Sequence, residues 1–198
     1  MATMYSLFLG ILSLALCLLM GTGHRDLTAA AQREALALRH NGLGLAGLPL
    51  RQQIMRIAAG ELGVRELSGN NDGERVEAYL RYTHLGKGHA WCAAFVSWCY
   101  AQAGQAQPRN PWSPALFPQA RRYTLARDNC ATAQSVPALA DVFGIYSASA
   151  KRINHVGLVN GLSHAYILSI EGNVDNRVQA KRRLKSSIAV FANWIDKY

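Results

Sequence analysis

Several familiar signatures are missing from this chain of 198 residues. It has no zinc-ligand spacing of cysteine and histidine, no RNP-like aromatic stretch and no glycine-rich phosphate loop. Its formal net charge of +9 favours anionic partners. Without those motifs, nucleic acid is not the expected one, which leaves anionic lipid or an acidic cell-wall polymer. No internal repeat occurs, so a solenoid is excluded. Half of the residues are apolar and 17% are charged, which excludes a disordered chain. The length suits one domain with a substantial core plus a leader.

Charge is absent altogether from Met1 to Gly23, MATMYSLFLGILSLALCLLMGTG. The densest apolar part, Leu7 to Met20, fits the central region of a secretory signal, and Gly21 and Gly23 place a cleavage site before His24. The usual positive n-region is lacking. The segment is also long enough to span a bilayer, for which about 20 residues suffice. Cys17 follows Leu16, where lipoprotein processing would need a small residue. Residues 1–23 are therefore read as a signal peptide or membrane anchor, and the protein as exported to the envelope or secreted. A helical segment and a glycine-rich linker, NGLGLAGLP, follow over 24–49. The working domain is expected over 50–198.

Within that domain, Ile54, Ile57, Ala58 and Leu62 have helical spacing. Asn71 with Glu74 fits a capping box for a helix from Asp72 to Tyr82. Asn70, Asn71 and Asp72 are also readable as a substrate or calcium loop. A third helix is expected from Ala90 to Ala103, apolar nearly all round and hence central and buried, with Gly104 ending it. A short helix is expected near Ala115 to Tyr123. After Asp141 the pattern changes to short stretches rich in β-formers: DVFGIY, INHVGLVNGL, AYILSIEG, VQAKRRLK and IAVFANWI. Helices followed by strands predict an α+β fold with helices packed on an antiparallel sheet.

Cysteine is sparse, with four in the chain, and two of them lie in AWCAAFVSWCYAQAG. An isolated cysteine on an apolar helix is ordinarily a core residue. Cys92, however, falls in the first turn, where free N–H groups and the helix dipole favour a thiolate. Cys99 lies two turns inside and is read as structural. A thiol nucleophile needs a base and a group to orient it. His155 stands within a strand pattern. If residues 153–161 and 165–173 form an unbulged hairpin with a three-residue loop, Leu162 to His164, then Val159 opposes Ile167, Gly157 opposes Ser169 and His155 opposes Glu171. Opposed side chains lie about 5 Å apart at Cβ. His84 and His89 lack acidic or thiol partners in sequence and read as loop residues. The basic run NRVQAKRRLK reads either as a protected strand edge or as a wall-binding patch that includes Arg182 and Arg183. Export to an oxidising compartment, with Cys92 kept free, leaves Cys99 and Cys130 as the pair open to one disulfide.

The motifs AWCAAFVSWCYAQAG, NHVGLVNG and IEGN, in this order and spacing, resemble the CHAP family of cysteine, histidine-dependent amidohydrolases and peptidases. The upstream GNNDGERVEAYL is similar to the lead-in of one branch of that family. The resemblance covers roughly residues 50–195. It implies a papain-like, NlpC-like fold and hydrolysis of peptidoglycan amide bonds by a monomer that needs no metal or cofactor. Carried across by motif, the catalytic residues are Cys92, His155, Glu171 and Asn173. Trp91 stands where some members have glutamine. Trp91 and Asn71 are the candidate substrate-binding residues, and the Cys92 backbone N–H is a candidate oxyanion donor. Other enzymatic uses of the same chemistry are an amidase on a soluble peptide conjugate and an antibacterial toxin. A wall-binding module with an inactive site is a further alternative.

Overall fold

The computed structural model describes residues 44–125 and 136–196. The chain divides between Ala46 and Gly47 into two units, and every described helix and strand lies in the second. The leader (1–23), the helix expected after it, and Cys130, the candidate partner of Cys99, lie outside the described residues.

Three helices come first: α1 (Leu50–Gly60), α2 (Glu74–Tyr82) and α3 (Cys92–Gln102). Six strands follow: β1 (Arg122–Tyr123), β2 (Val142–Ser147), β3 (Arg152–Ser163), β4 (Tyr166–Val174), β5 (Arg177–Leu184) and β6 (Val190–Ala192). They form one antiparallel sheet in the order β1-β6-β2-β3-β4-β5. This is the α+β architecture that the sequence pattern predicts.

Helix α3 is the centre of the molecule. Every residue from Cys92 to Tyr100 is buried, as its lack of a polar face requires. Its end is a Schellman motif. Gly104 N–H donates to Ala101 O at 2.9 Å and Gln105 N–H to Tyr100 O at 3.0 Å, with Gly104 at φ 84°, a conformation that glycine adopts without strain. Tyr79 of α2 packs among Trp91, Phe95 and Trp98, with ring centroids 5.1–5.6 Å from its own. β4 passes beneath at Gly172, where a Cβ would lie 2.7 Å from Phe95 Cβ and 2.8 Å from the Trp91 ring. The absence of a side chain there lets the start of α3 come down onto the sheet.

Three local expectations are corrected. The α2 cap is Gly73 at φ 104°, with no side-chain cap bond. Asn71 is not the cap, because it sits at φ 54° outside the helix. Asp72 is occupied in closing its own turn, accepting from Ser68 N–H at 2.9 Å and Ser68 Oγ at 2.7 Å. The short helix expected at Ala115–Tyr123 is instead a 3₁₀ turn, Ser113–Leu116, followed by β1. Pro118 cannot donate within such a helix, and Arg122 and Tyr123 pair with Ala192 and Phe191.

The third correction concerns the β3–β4 hairpin. Observed partners are Leu158 with Ile170, Val159 with Ser169, Leu162 with Ile167 and Ser163 with Tyr166. The turn is therefore two residues, His164 and Ala165. A bulge between Val159 and Gly161 leaves Asn160 as the extra residue, a device that shifts pairing without changing which side chains face inward elsewhere. Gly157 now stacks beside Glu171, and a Cβ at 157 would lie 2.7 Å from Glu171 Cγ and 2.8 Å from the Phe143 ring. His155 lies diagonal to Glu171 on the same face, a separation that long side chains bridge.

Because that space is filled, Gly157→Ala is expected to cost about 1–3 kcal/mol, as overpacking does, and to displace the Glu171 side chain. Urea denaturation checks the first effect, and the alkylation rate of Cys92 checks the second.

Candidate active site

Cys92 is the first residue of α3. The earliest bond of that helix runs from Phe95 N–H to Trp91 O at 2.8 Å, so the N–H groups of Cys92, Ala93 and Ala94 have no acceptor within the helix. These groups and the helix dipole make a positive environment for sulfur. The side chain is 5% exposed and opens into a cleft of about 260 Å³ whose walls include His89, Pro111, Trp112, Ser113, Arg152 and Asn154. Arg152 and Asn154 belong to the start of β3. There the β2–β3 pairing slips between Ile145 with His155 and Tyr146 with Ile153, leaving Asn154 as a bulge residue. Bulges commonly re-aim side chains next to active sites.

His155 adjoins Cys92 closely enough to lower its thiol, and its Nε2 hydrogen-bonds Glu171 Oε2 at 2.7 Å. Nε2 is thereby committed to the carboxylate, which leaves Nδ1 as the ring nitrogen free for another partner. Glu171 is completely buried. Its Oε1 accepts from Ser169 Oγ at 2.6 Å and Arg183 Nε at 2.9 Å. Its Oε2 accepts from Arg183 Nη2 at 2.6 Å as well as from His155. Both oxygens thus carry two donors, which fills the capacity of an ionised carboxylate.

These contacts set the charge states. Burial by itself would raise the Glu171 pKa. The bonds from His155, Arg183 and Ser169 outweigh it and hold the carboxyl at about 2. Burial would lower that of His155, but Cys92 and Glu171 raise it to about 9. Burial would likewise raise the Cys92 thiol, yet the bond and charge of His155, with Ser113 and the Val156 backbone, bring it below its ordinary value. A thiol held below its ordinary value beside an imidazole held above its own favours moving the proton from sulfur to the ring.

The other nominated residues fall elsewhere. Trp91 is fully buried, and its Nε1–H donates to Glu66 Oε1 at 2.8 Å. It therefore supports the core and is not part of the cleft wall. Asn71 is also absent from the cleft wall. Its N–H donates to Glu66 Oε2 at 2.9 Å, and its Oδ1 accepts from Asn173 Nδ2 at 3.3 Å. Asn71 and Asn173 thus meet each other, tying the loop before α2 to the end of β4. Cys99 is buried two turns inside α3. Ser113, Arg183, Glu66 and the cleft positions of His89, Trp112, Arg152 and Asn154 were not singled out for the site by pattern. Arg183 was readable only as part of a basic run.

Residues 84–173 match the family model of the CHAP domain. The matched span holds Cys92, His155, Glu171 and Asn173, whereas Arg183 lies beyond its end. Among solved structures, the peptidoglycan hydrolase RipB from Mycobacterium tuberculosis is similar at 18% identity and a TM-score of 0.45, covering 85% of this chain and 86% of that one. No curated protein matches the chain significantly. Among the described residues, no helix is long and apolar enough to cross a membrane, and no cluster of three or more His, Cys, Asp or Glu side chains could hold a metal.

Two outcomes follow from the charge pattern of this site. Arg183→Ala leaves a buried carboxylate short of two donors and is expected to cost about 1–3 kcal/mol at neutral pH. The Glu171 pKa is depressed, so its contribution is present above the ordinary carboxyl value and lost as pH falls. The gap between variant and wild type is therefore expected to narrow as pH approaches 2, as read by urea denaturation across pH. Alkylation of Cys92 by iodoacetamide is expected to remain fast well below the titration of an ordinary thiol. In His155→Ala its pH profile is expected to move up toward that ordinary range.

Proposed function

We propose that this protein is a peptidoglycan hydrolase that cleaves an amide or peptide bond through a Cys92–His155–Glu171 triad. The observation that carries this reading is the placement of Cys92 at the start of a buried helix, open to a cleft, beside an imidazole oriented by a fully bonded carboxylate. That arrangement has little use in a purely structural role, since a core cysteine needs no raised histidine beside it. The match of residues 84–173 to the CHAP domain and the +9 net charge, suited to an acidic wall polymer, support the same substrate class.

In this mechanism the Cys92 thiolate attacks the amide carbonyl carbon. The carbon–sulfur bond forms and the carbonyl electron pair moves onto oxygen, where the Cys92 backbone N–H donates. His155 then gives its proton to the departing amine, and the intermediate collapses to a thioester. Water, deprotonated by the now neutral His155, attacks the thioester carbon, the carbon–sulfur bond breaks, and the acyl group leaves as a carboxylic acid with the Cys92 thiolate and protonated His155 restored. Glu171 holds the imidazole through Nε2, leaving Nδ1 free for the sulfur, and stabilises the ring when charged. Asn173, at the end of the strand that carries Glu171, is held by Asn71 and has a supporting role. The protein works as a monomer outside the cytoplasm, with residues 1–23 serving as its leader or membrane anchor.

The test is mass spectrometry of fragments released from purified peptidoglycan by the full-length protein. Wild type is expected to release peptide-containing fragments with a new amine and a new carboxyl at one bond. Cys92→Ala is expected to release none while remaining folded, and Cys99→Ala to release them as wild type does. Equal loss in both folded variants overturns the assignment of Cys92.

A further inference from the structure

We infer that Ser113 is a second oxyanion donor, a catalytic residue that works with the Cys92 N–H. The inference rests on the acyl-transfer reading of the site above. An acyl-transfer site needs donors aimed at the oxygen that becomes charged, not at the ground-state carbonyl. The side chain preceding the nucleophile cannot serve here. Trp91 is buried, and its one donor is spent on Glu66. Ser113 Oγ, in contrast, lies 3.4 Å from Cys92 Sγ on the wall of the cleft. It is almost fully buried, and the sulfur is its only hydrogen-bond partner among the described residues.

Its position is fixed from both sides. Upstream, Ser97 of α3 and Asn110 bond reciprocally, Ser97 Oγ–H to Asn110 O and Asn110 N–H to Ser97 Oγ, each at 3.2 Å. Asn110 Oδ1 then accepts from Trp112 N–H at 2.9 Å. Downstream, Leu116 O accepts from Trp194 Nε1–H at 3.0 Å. The hydroxyl is thus held against α3 before any substrate arrives, and no reorganisation of the loop is needed during reaction.

The charge movement explains the placement. At rest the thiolate carries the negative charge, and the Ser113 hydroxyl, which has one proton to donate, points it at sulfur. On attack the carbon–sulfur bond forms and the carbonyl π pair becomes a lone pair on oxygen, one atom beyond the new bond. The sulfur is then neutral. Rotation about the serine Cβ–Oγ bond redirects the same proton to the new oxyanion. No proton is transferred from Ser113, and the bond swings back as the carbonyl re-forms and the leaving group departs.

Two reactions of the same sulfur separate this role from simple support of the thiolate. Acylation of the full-length protein by p-nitrophenyl acetate passes through an oxyanion and expels p-nitrophenolate. Alkylation by iodoacetamide displaces iodide and creates no oxyanion. Neither depends on the natural substrate, so a failure to digest peptidoglycan would strike the proposed function and leave this test standing. Ser113→Ala is expected to slow acylation by about 100-fold, the usual scale for one lost oxyanion donor. Alkylation on its high-pH plateau is expected to stay at the wild-type rate, which also reports an intact fold. An equal fall in both rates, or unchanged acylation, overturns the inference.

Discussion

A carboxylate cannot remain charged in a protein interior unless its oxygens are supplied with donors, and Glu171 is the point at which this protein meets that constraint. Desolvating an ion costs several kcal/mol. Four donors from three strands offset it: His155 from β3, Ser169 from β4 and the two guanidinium nitrogens of Arg183 from β5. The same contacts that make the buried charge tolerable also fix the imidazole. The orienting group of the site and the electrostatic seam across the sheet are therefore one feature. The guanidinium matters by its shape as well as its charge, since a planar fork can serve both carboxylate oxygens at once.

The second constraint is steric. A helix whose first residue must touch a strand side chain needs the backbones close together, and the two glycines do this in different places. Gly172 lets α3 approach β4, and Gly157 gives Glu171 room to lie across the ladder toward His155. Aromatic packing around Tyr79 seats α3 against α2, which fixes where the sulfur meets the sheet. Preorganisation of this kind is what makes fixed donors and charges effective in a reaction.

Some of this was legible in the chain. The all-apolar stretch around Cys92 dictated a central helix, Gly104 marked its end, and the period-2 stretches after Asp141 marked a sheet. The pairing of His155 with Glu171 was reached through a register that the structure does not have. The contact survives because Gly157 carries no side chain and the diagonal is short enough for imidazole and glutamate to span. The α2 cap was misread for a similar reason. Asn71 and Glu74 have the right spacing, but competing bonds from Ser68 and Glu66 give Asp72 and Asn71 other work.

What the sequence by itself determined was local: which stretches are helical or extended, which cysteine stands at a helix start, and which motifs belong together. Those properties depend on neighbours within a turn or a strand repeat. What only the tertiary structure decided was every role set by residues far apart in the chain. Arg183 is a partner of a buried carboxylate rather than one more charge on an edge, Ser113 stands against the sulfur, and Trp91 turns inward to Glu66. Each depends on β-bulges and loop paths that place distant groups within about 3 Å of one another, the range in which hydrogen bonds form, and periodicity carries no record of such meetings.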